Sequence, residues 1–141
     1  EIMSILGHGS FGQVVKCTDH KTGQIVALKI LDNTKIMHDQ GQIETQILYR
    51  FSQSRHQNIV RPFDYFIFRN HICLTFECLG PNTLTIYRNS KFTSAKVQSL
   101  AYHLFQGLNH CHKLNIIHCD IKPENILKVP NQNQTTISQS F

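Results

Sequence analysis

Apolar residues come in short runs over the first half of the chain and at helical spacing later. Ile2 to Leu6 is mostly apolar and reads as a strand. Gly7-His8-Gly9-Ser10-Phe11-Gly12 follows, and β-branched Val14-Val15 mark a second strand over Gln13 to Cys17. Asp19 to Gly23 is polar and turn-like, and Gln24 to Leu31 predicts a third strand. From His38 to Ser52 the period becomes helical: Ile43, Ile47 and Phe51 recur every four residues with Leu48 beside them. Glu44 falls near the edge of that apolar face. Gln53 to Asn58 is a polar connection, and Ile59 to Phe68 and His71 to Glu77 read as strands around an Arg69-Asn70 turn. Gly80-Pro81-Asn82 breaks the second of these strands.

Thr83 to Asn89 predicts a short helix, and Thr93 or Ser94 can cap a longer one running to about His112. In that helix Val97, Leu100, Ala101, Leu104, Leu108 and Cys111 keep helical spacing and predict core. Gly107 interrupts the stripe at about 1 kcal/mol relative to Ala, which suggests close packing there. Asn115-Ile116-Ile117 and Ile126-Leu127 read as two short buried strands holding a polar loop between them. From Val129 to Phe141 the chain turns polar, with Asn131 to Gln134 in one run, and predicts a tail or loop that does not pack. There is no internal repeat.

Composition narrows the class. The chain has 141 residues, 40% apolar and 16% charged, a globular balance with enough length for a real core. Its net charge of +5 comes from scattered single Lys and Arg residues, so neither nucleic acid nor a membrane surface is an expected partner. No apolar run reaches membrane-spanning length, and no signal peptide is expected. The five cysteines are odd in number and lack a Cys-x-x-Cys pair, which favours reduced thiols in the cytoplasm or nucleus. His110-Cys111-His112 and His118-Cys119 are not a metal site by spacing, since adjacent helical residues face different ways. Asn133-Gln134-Thr135 matches a glycosylation acceptor only by chance in the absence of a secretion signal. Glu1 rather than Met opens the sequence, which suggests that the natural chain starts earlier.

The chemistry concentrates in the polar loop His118-Cys119-Asp120-Ile121-Lys122-Pro123-Glu124-Asn125. Asp120, Lys122 and Asn125 offer a carboxylate, an ammonium and an amide, a set that can take a proton, neutralise phosphate charge and ligate Mg²⁺. The glycine-rich stretch lets backbone N–H groups approach a ligand because no Cβ intervenes. A dinucleotide-binding fold would need a helix after its last glycine, whereas Val14-Val15 continue as strand.

The loop resembles the catalytic loop of protein kinases, His-Arg-Asp and, after four intervening residues, Asn, with Cys119 in place of Arg. His-Cys-Asp-Ile-Lys-Pro-Glu-Asn is similar to the dual-specificity, tyrosine-phosphorylation-regulated branch of that family, as is Phe68-Arg69-Asn70-His71-Ile72-Cys73-Leu74-Thr75-Phe76-Glu77. Val26-Ala27-Leu28-Lys29 resembles the family's phosphate-anchoring strand. The resemblance runs from Ile2 to about Lys128 with its motifs in kinase order. It implies an α+β, protein-kinase-like fold. An antiparallel-sheet small lobe over residues 1–77, a hinge at 78–82 and the start of a helical large lobe at 83–128 would hold ATP in the crevice between the lobes. Residues 129–141 would be a polar tail or loop.

The resemblance also implies roles. Glycine-loop amides around Gly7, Gly9, Phe11 and Gly12 would hold the phosphates. Lys29, fixed by Glu44, would hold the α- and β-phosphates, and Leu6, Val14, Ala27 and Leu127 would sandwich adenine. Phe76 would back the adenine pocket; Glu77, Cys78 and Leu79 would pair with adenine through their backbone, and Asn82 would lie on the ribose side. Asp120 would orient the acceptor hydroxyl and take its proton, Lys122 would neutralise the transferring phosphate, Asn125 would take Mg²⁺, and His118 would buttress the loop. The partners would be protein substrates, phosphorylated on Ser/Thr, with Tyr in autophosphorylation.

Two departures matter. A thiol at Cys119 cannot make the bidentate bond by which an arginine there pairs with a phosphorylated activation loop. No Asp-Phe-Gly or Ala-Pro-Glu occurs, so the sequence reads as about half of a kinase domain, with the activation loop absent and the piece by itself expected to be inactive. A catalytically inactive nucleotide- or partner-binding module is the alternative.

Overall fold

The strands of the first unit form where β-branched and aromatic residues cluster between turn formers. The computed structural model describes the backbone of residues 1–9, 12–33, 35–130 and 137–139, and their side chains except at 35–40, 42 and 137–139. The chain divides into two units, Glu1–Ser54 with Arg61–Cys78, and Arg55–Val60 with Leu79–Phe141.

The first unit holds β1 (Ile2–Gly9), β2 (Gly12–Thr18), β3 (Ile25–Leu31), α1 (Lys35–Gln53), β4 (Pro62–Phe68) and β5 (His71–Glu77). All neighbouring strands are antiparallel, in the order β1-β2-β3-β5-β4. β1 and β2 run further than the apolar pattern suggested, pairing Gly7 with Val14 and Gly9 with Gly12. Phe11 lies outside the described residues. β4 begins at Pro62, not at Ile59. Arg69 and Asn70 take φ of 48° and 63°, the two left-handed residues of a tight hairpin turn whose twist matches the strands.

Register sorts the sheet's two faces. Val15 opposite Leu28 and Cys17 opposite Val26 place these residues with Ile30 on one face, where they form a small core. Val14 opposite Lys29, Lys29 opposite Leu74 and Ala27 opposite Phe76 lie on the other. α1 covers part of this second face. A Cβ on Gly41 would stand 2.5 Å from Ile72 Cδ1 and 3.0 Å from Leu31 Cδ1, so the helix meets the sheet there. Leu48 and Phe51 are buried, whereas Ile43 is 59% exposed. The buried stripe therefore runs Gly41, Glu44, Leu48, Phe51, and Glu44 lies within it rather than at its edge. The sequence pattern was misled because glycine carries no apolar signal.

The second unit holds α2 (Thr83–Asn89), α3 (Ser94–Lys113), a 3₁₀ turn (Pro123–Asn125), β6 (Ile126–Lys128) and β7 (Ile137–Gln139). Asn82 and Thr93 cap the two helices, accepting bonds from the amides of Thr85 and Lys96. Along α3, Gly107 and Cys111 are buried and Val97 is 49% exposed, so the expected core stripe is filled only toward its C-terminal end. Asn115 ends α3 at φ 56°, with Asn115 N–H donating to His112 O and Ile116 N–H to Cys111 O. That is a Schellman cap. It replaces the strand expected at Asn115-Ile116-Ile117: Ile116 is buried and Ile117 is 77% exposed. β7 pairs antiparallel with β6, Ile126 opposite Gln139, so the stretch expected as a polar tail contributes a strand. Asn58, fully buried, donates its side-chain amide toward His103 Nδ1 at 3.2 Å and its backbone N–H to His56 Nδ1 at 3.2 Å. The His56 ring stacks on His110 at 4.8 Å. Among the described residues no helix is long and apolar enough to cross a membrane.

Candidate functional site

In the first unit, sheet register brings expected ligand-side residues together. Val14, Ala27, Lys29 and Phe76 share one face, held there by alternation along three neighbouring strands. Leu6, on the outer strand β1, is 50% exposed. The glycines divide into two kinds. Gly12 has φ 129°, and a Cβ there would stand 2.0 Å from Ile30 O, so the sheet itself demands glycine. Among the described residues nothing lies within 4 Å of a Cβ added to Gly7 or Gly9, so no described neighbour requires glycine at those two positions.

Lys29 Nζ bonds Glu44 Oε1 at 2.6 Å, with 18% of each side chain exposed. β3 supplies the lysine and the Gly41 contact brings α1 close enough for the carboxylate to reach it. Enclosing an ammonium this far is costly unless it is paired, and Glu44 supplies the partner. Phe76 is buried, and Glu77 both donates its N–H to Arg61 O at 3.0 Å and accepts Arg61 N–H on Oε1 at 2.8 Å. The Glu77 N–H is thus committed to Arg61.

In the second unit the polar loop folds on itself. His118 is buried, and its Nδ1 accepts the Asp120 N–H at 3.3 Å. Cys119 takes φ 63°, a left-handed kink that reverses the backbone just before Asp120. Asp120 Oδ2 receives Lys122 Nζ at 2.7 Å and Asn125 Nδ2 at 2.8 Å, and the same Nδ2 reaches Asp120 O at 2.9 Å. Asn125 arrives there because Pro123 starts a 3₁₀ turn, where proline's fixed φ suits the first position. The hydrogen bond from Lys122 holds the Asp120 carboxyl below its ordinary range; burial opposes it, and the Asn125 bond adds to the lowering. The carboxylate is 54% exposed and so open to an incoming hydroxyl. Asn125 uses its nitrogen on Asp120, and its amide oxygen is the kind of hard donor that Mg²⁺ takes. The donor set fits a divalent cation held jointly with phosphate oxygens. Among the described residues no group of three His, Cys, Asp or Glu could hold a metal without them.

Two residues make contacts beyond those the sequence led us to expect. Asn82, expected on the ribose side, spends Oδ1 on the α2 cap; an Asn directly before a predicted helix is the signal for that use. It also bridges to Leu127 through the backbone. Thr83 was not singled out by sequence, yet its hydroxyl donates to Pro123 O at 2.8 Å. No local pattern marks a bond between residues forty apart. Leu79, also expected at the ligand, is half-buried in this unit.

A family model described as protein kinase domain matches residues 1–138. A protein of Drosophila melanogaster named as a dual specificity tyrosine-phosphorylation-regulated kinase 3 homolog is 46% identical over 133 residues, 90% of this chain and 16% of its own length. Serine/threonine-protein kinase ppk5 of Schizosaccharomyces pombe is 41% identical over 90% of this chain and 16% of its own length. Dual specificity tyrosine-phosphorylation-regulated kinase 4 of Homo sapiens is 41% identical over 90% of this chain and 26% of its own length. The chain spans about a sixth to a quarter of these relatives. The match over nearly the whole chain shows that it belongs to the protein kinase family.

Proposed function

We propose that this chain is the part of a protein kinase that binds ATP and carries the catalytic loop, acting on Ser/Thr of protein substrates and on Tyr in autophosphorylation. The observation that carries the reading is the triad in the polar loop: one exposed carboxylate, Asp120, held by Lys122 and Asn125. Phosphoryl transfer passes through a loose, highly charged transition state, so the protein's work is positioning and charge stabilisation. Asp120 accepts a hydrogen bond from the acceptor hydroxyl and receives its proton. Lys122, already beside Asp120, offers its charge to the transferring group. Lys29, oriented by Glu44, neutralises phosphate oxygens, and the backbone of the glycine hairpin approaches them at Gly7 and Gly9. Val14, Ala27 and Phe76 offer an apolar face to adenine. Asn125 is the residue that would help hold Mg²⁺, which supplies charge neutralisation on the triphosphate. All five cysteines are free thiols, which supports an intracellular setting, cytoplasmic or nuclear.

The test compares the natural protein with Asp120→Asn. Transfer of the γ-phosphate to a protein acceptor is expected to fall on the order of 10³-fold, while nucleotide affinity stays within about threefold. If affinity falls as far as the rate, Asp120 is a nucleotide ligand or a structural residue. Nucleotide binding with no transfer by the unsubstituted natural protein would leave a binding module instead.

A further inference from the structure

We infer that Thr83 is a positioning residue for the Asp120 loop, acting through the carbonyl of Pro123. Thr83 is the first residue of α2 and is 4% exposed. Its hydroxyl donates to Pro123 O at 2.8 Å. The same carbonyl accepts the Ile126 N–H that closes the 3₁₀ turn. One acceptor therefore joins the turn to the start of α2.

The surroundings show why that joint matters. Gly80 N–H donates to Lys128 O at 2.8 Å, Lys128 N–H donates to Pro81 O at 3.1 Å, and Asn82 bridges Leu127. A Cβ on Gly80 would stand 3.0 Å from Lys128 O, so the two segments run close. These backbone ties hold the turn on the side away from Asp120. The Thr83 bond holds its other end, at Pro123, next to Lys122. From that end Lys122 reaches Asp120 at 2.7 Å, and Asn125, whose N–H is bonded to Lys122 O, reaches it at 2.8 Å. A buried hydroxyl needs its partner, and a side-chain bond here fixes the turn where backbone pairing does not.

The inference rests on the reading of Asp120 as the residue that receives the acceptor proton, and its first test needs no nucleotide. Thr83→Val keeps the shape and removes the hydroxyl; Thr83→Ser keeps the hydroxyl. Amide hydrogen exchange of the natural protein, read by mass spectrometry on peptides that cover the 3₁₀ turn, is followed alongside thermal melting. In Thr83→Val the Asn125 and Ile126 amides are expected to exchange about tenfold faster or more, and Thr83→Ser is expected to restore them. Thr83→Ala is read in the same way where Thr83→Val does not fold. A lower melting temperature with both amides unchanged would make Thr83 merely structural and overturn the inference. The expected kinetic split is kcat down about tenfold with KM for ATP unchanged, recovered in Thr83→Ser; equal damage to both overturns it as well. Faster exchange with unaltered transfer would overturn the role through catalysis, whereas an Asp120→Asn protein that keeps its transfer rate would fail the reading of Asp120 itself.

Discussion

Lys29 Nζ and Glu44 Oε1 meet at 2.6 Å on the face of the sheet that also carries Val14, Ala27 and Phe76. The contact joins a strand to a helix fifteen residues later in sequence. It forms because α1 lies against Ile72 and Leu31 at Gly41, the residue three before Glu44 on the same helical face. Packing thus sets the carboxylate, and the carboxylate sets the ammonium.

Lys29→Met removes a positive charge from an enclosed site. In the natural protein it is expected to lower phosphoryl transfer on the order of 10²-fold or more, since a preorganised charge facing phosphate typically supplies several kcal/mol to the transition state. Glu44→Gln keeps the volume and removes the negative charge that pairs with the lysine, so the expected loss is smaller, about tenfold. Steady-state rates on a protein acceptor measure both; near-normal turnover by Lys29→Met would reject the assignment.

Asp120 titrates below its ordinary value because Lys122, and then Asn125, bond its charged form. A carboxyl depressed on folding adds stability above the unfolded value of about 3.9, and that stability is lost as pH falls through the lower folded value. Both side chains are about half exposed, so the stability at stake is small and the useful readout is the midpoint. A ¹³C NMR titration is expected to show it below 3.8, moving up in Lys122→Met and less in Asn125→Ala. An unmoved midpoint in Lys122→Met would remove the stated cause.

Much of this arrangement can be read from residue order. The strand over Ile25 to Leu31 and the helix over Thr83 to Asn89 follow from local chemistry: β-branched residues in the one, an Asn cap before the other. The loop from His118 to Asn125 carries its chemistry in adjacent residues, so sequence showed which groups would gather. Sequence did not show the long-range terms. Glu44 looked peripheral because Gly41, which lets α1 approach the sheet, has no apolar side chain to count. Ile116-Ile117 looked like a strand, but a left-handed Asn115 turns that stretch into a helix cap. β7 was hidden because a three-residue strand in polar sequence is made by pairing with β6, not by its own propensity.

His56 provides a pH-dependent probe of the second unit. Burial is the first cause that lowers its pKa below 6.5, followed by the charges of His110 and Lys113 on α3. The Asn58 N–H donated to Nδ1 likewise requires that nitrogen unprotonated. The unfolded chain takes up a proton as pH falls through 6.5 while folded His56 does not, so stability drops with pH until the folded midpoint is passed. NMR titration of the ring is expected to give a midpoint below 6.5, with the Asn58 amide shifting in step. Raising salt from about 0.05 to about 0.5 M should move it little, because screening acts on charge and not on burial. A midpoint at or above the ordinary value would show the ring to be solvated.

The three glycines of the hairpin are expected to separate into one that serves the fold and two that serve the ligand. Gly12 combines φ 129° with an Ile30 carbonyl 2.0 Å from any added Cβ, and both obstacles are backbone, which cannot swing aside. Gly12→Ala is therefore expected to cost about 3 kcal/mol of stability, from strained φ and from displacement of β2 against β3. Among the described residues nothing comes within 4 Å of a Cβ at Gly7 or Gly9, so Gly7→Ala and Gly9→Ala should leave stability within about 1 kcal/mol of the unsubstituted chain. Their effect should fall on nucleotide affinity instead, because a methyl group pushes phosphate oxygens away from the backbone amides. Urea denaturation of this chain reads the first quantity, and fluorescence titration of the natural protein with an ATP analogue reads the second. Equal destabilisation by all three substitutions would mean that the hairpin needs its glycines for folding alone. A Gly7→Ala protein with unchanged nucleotide affinity would remove that residue from the phosphate-facing backbone.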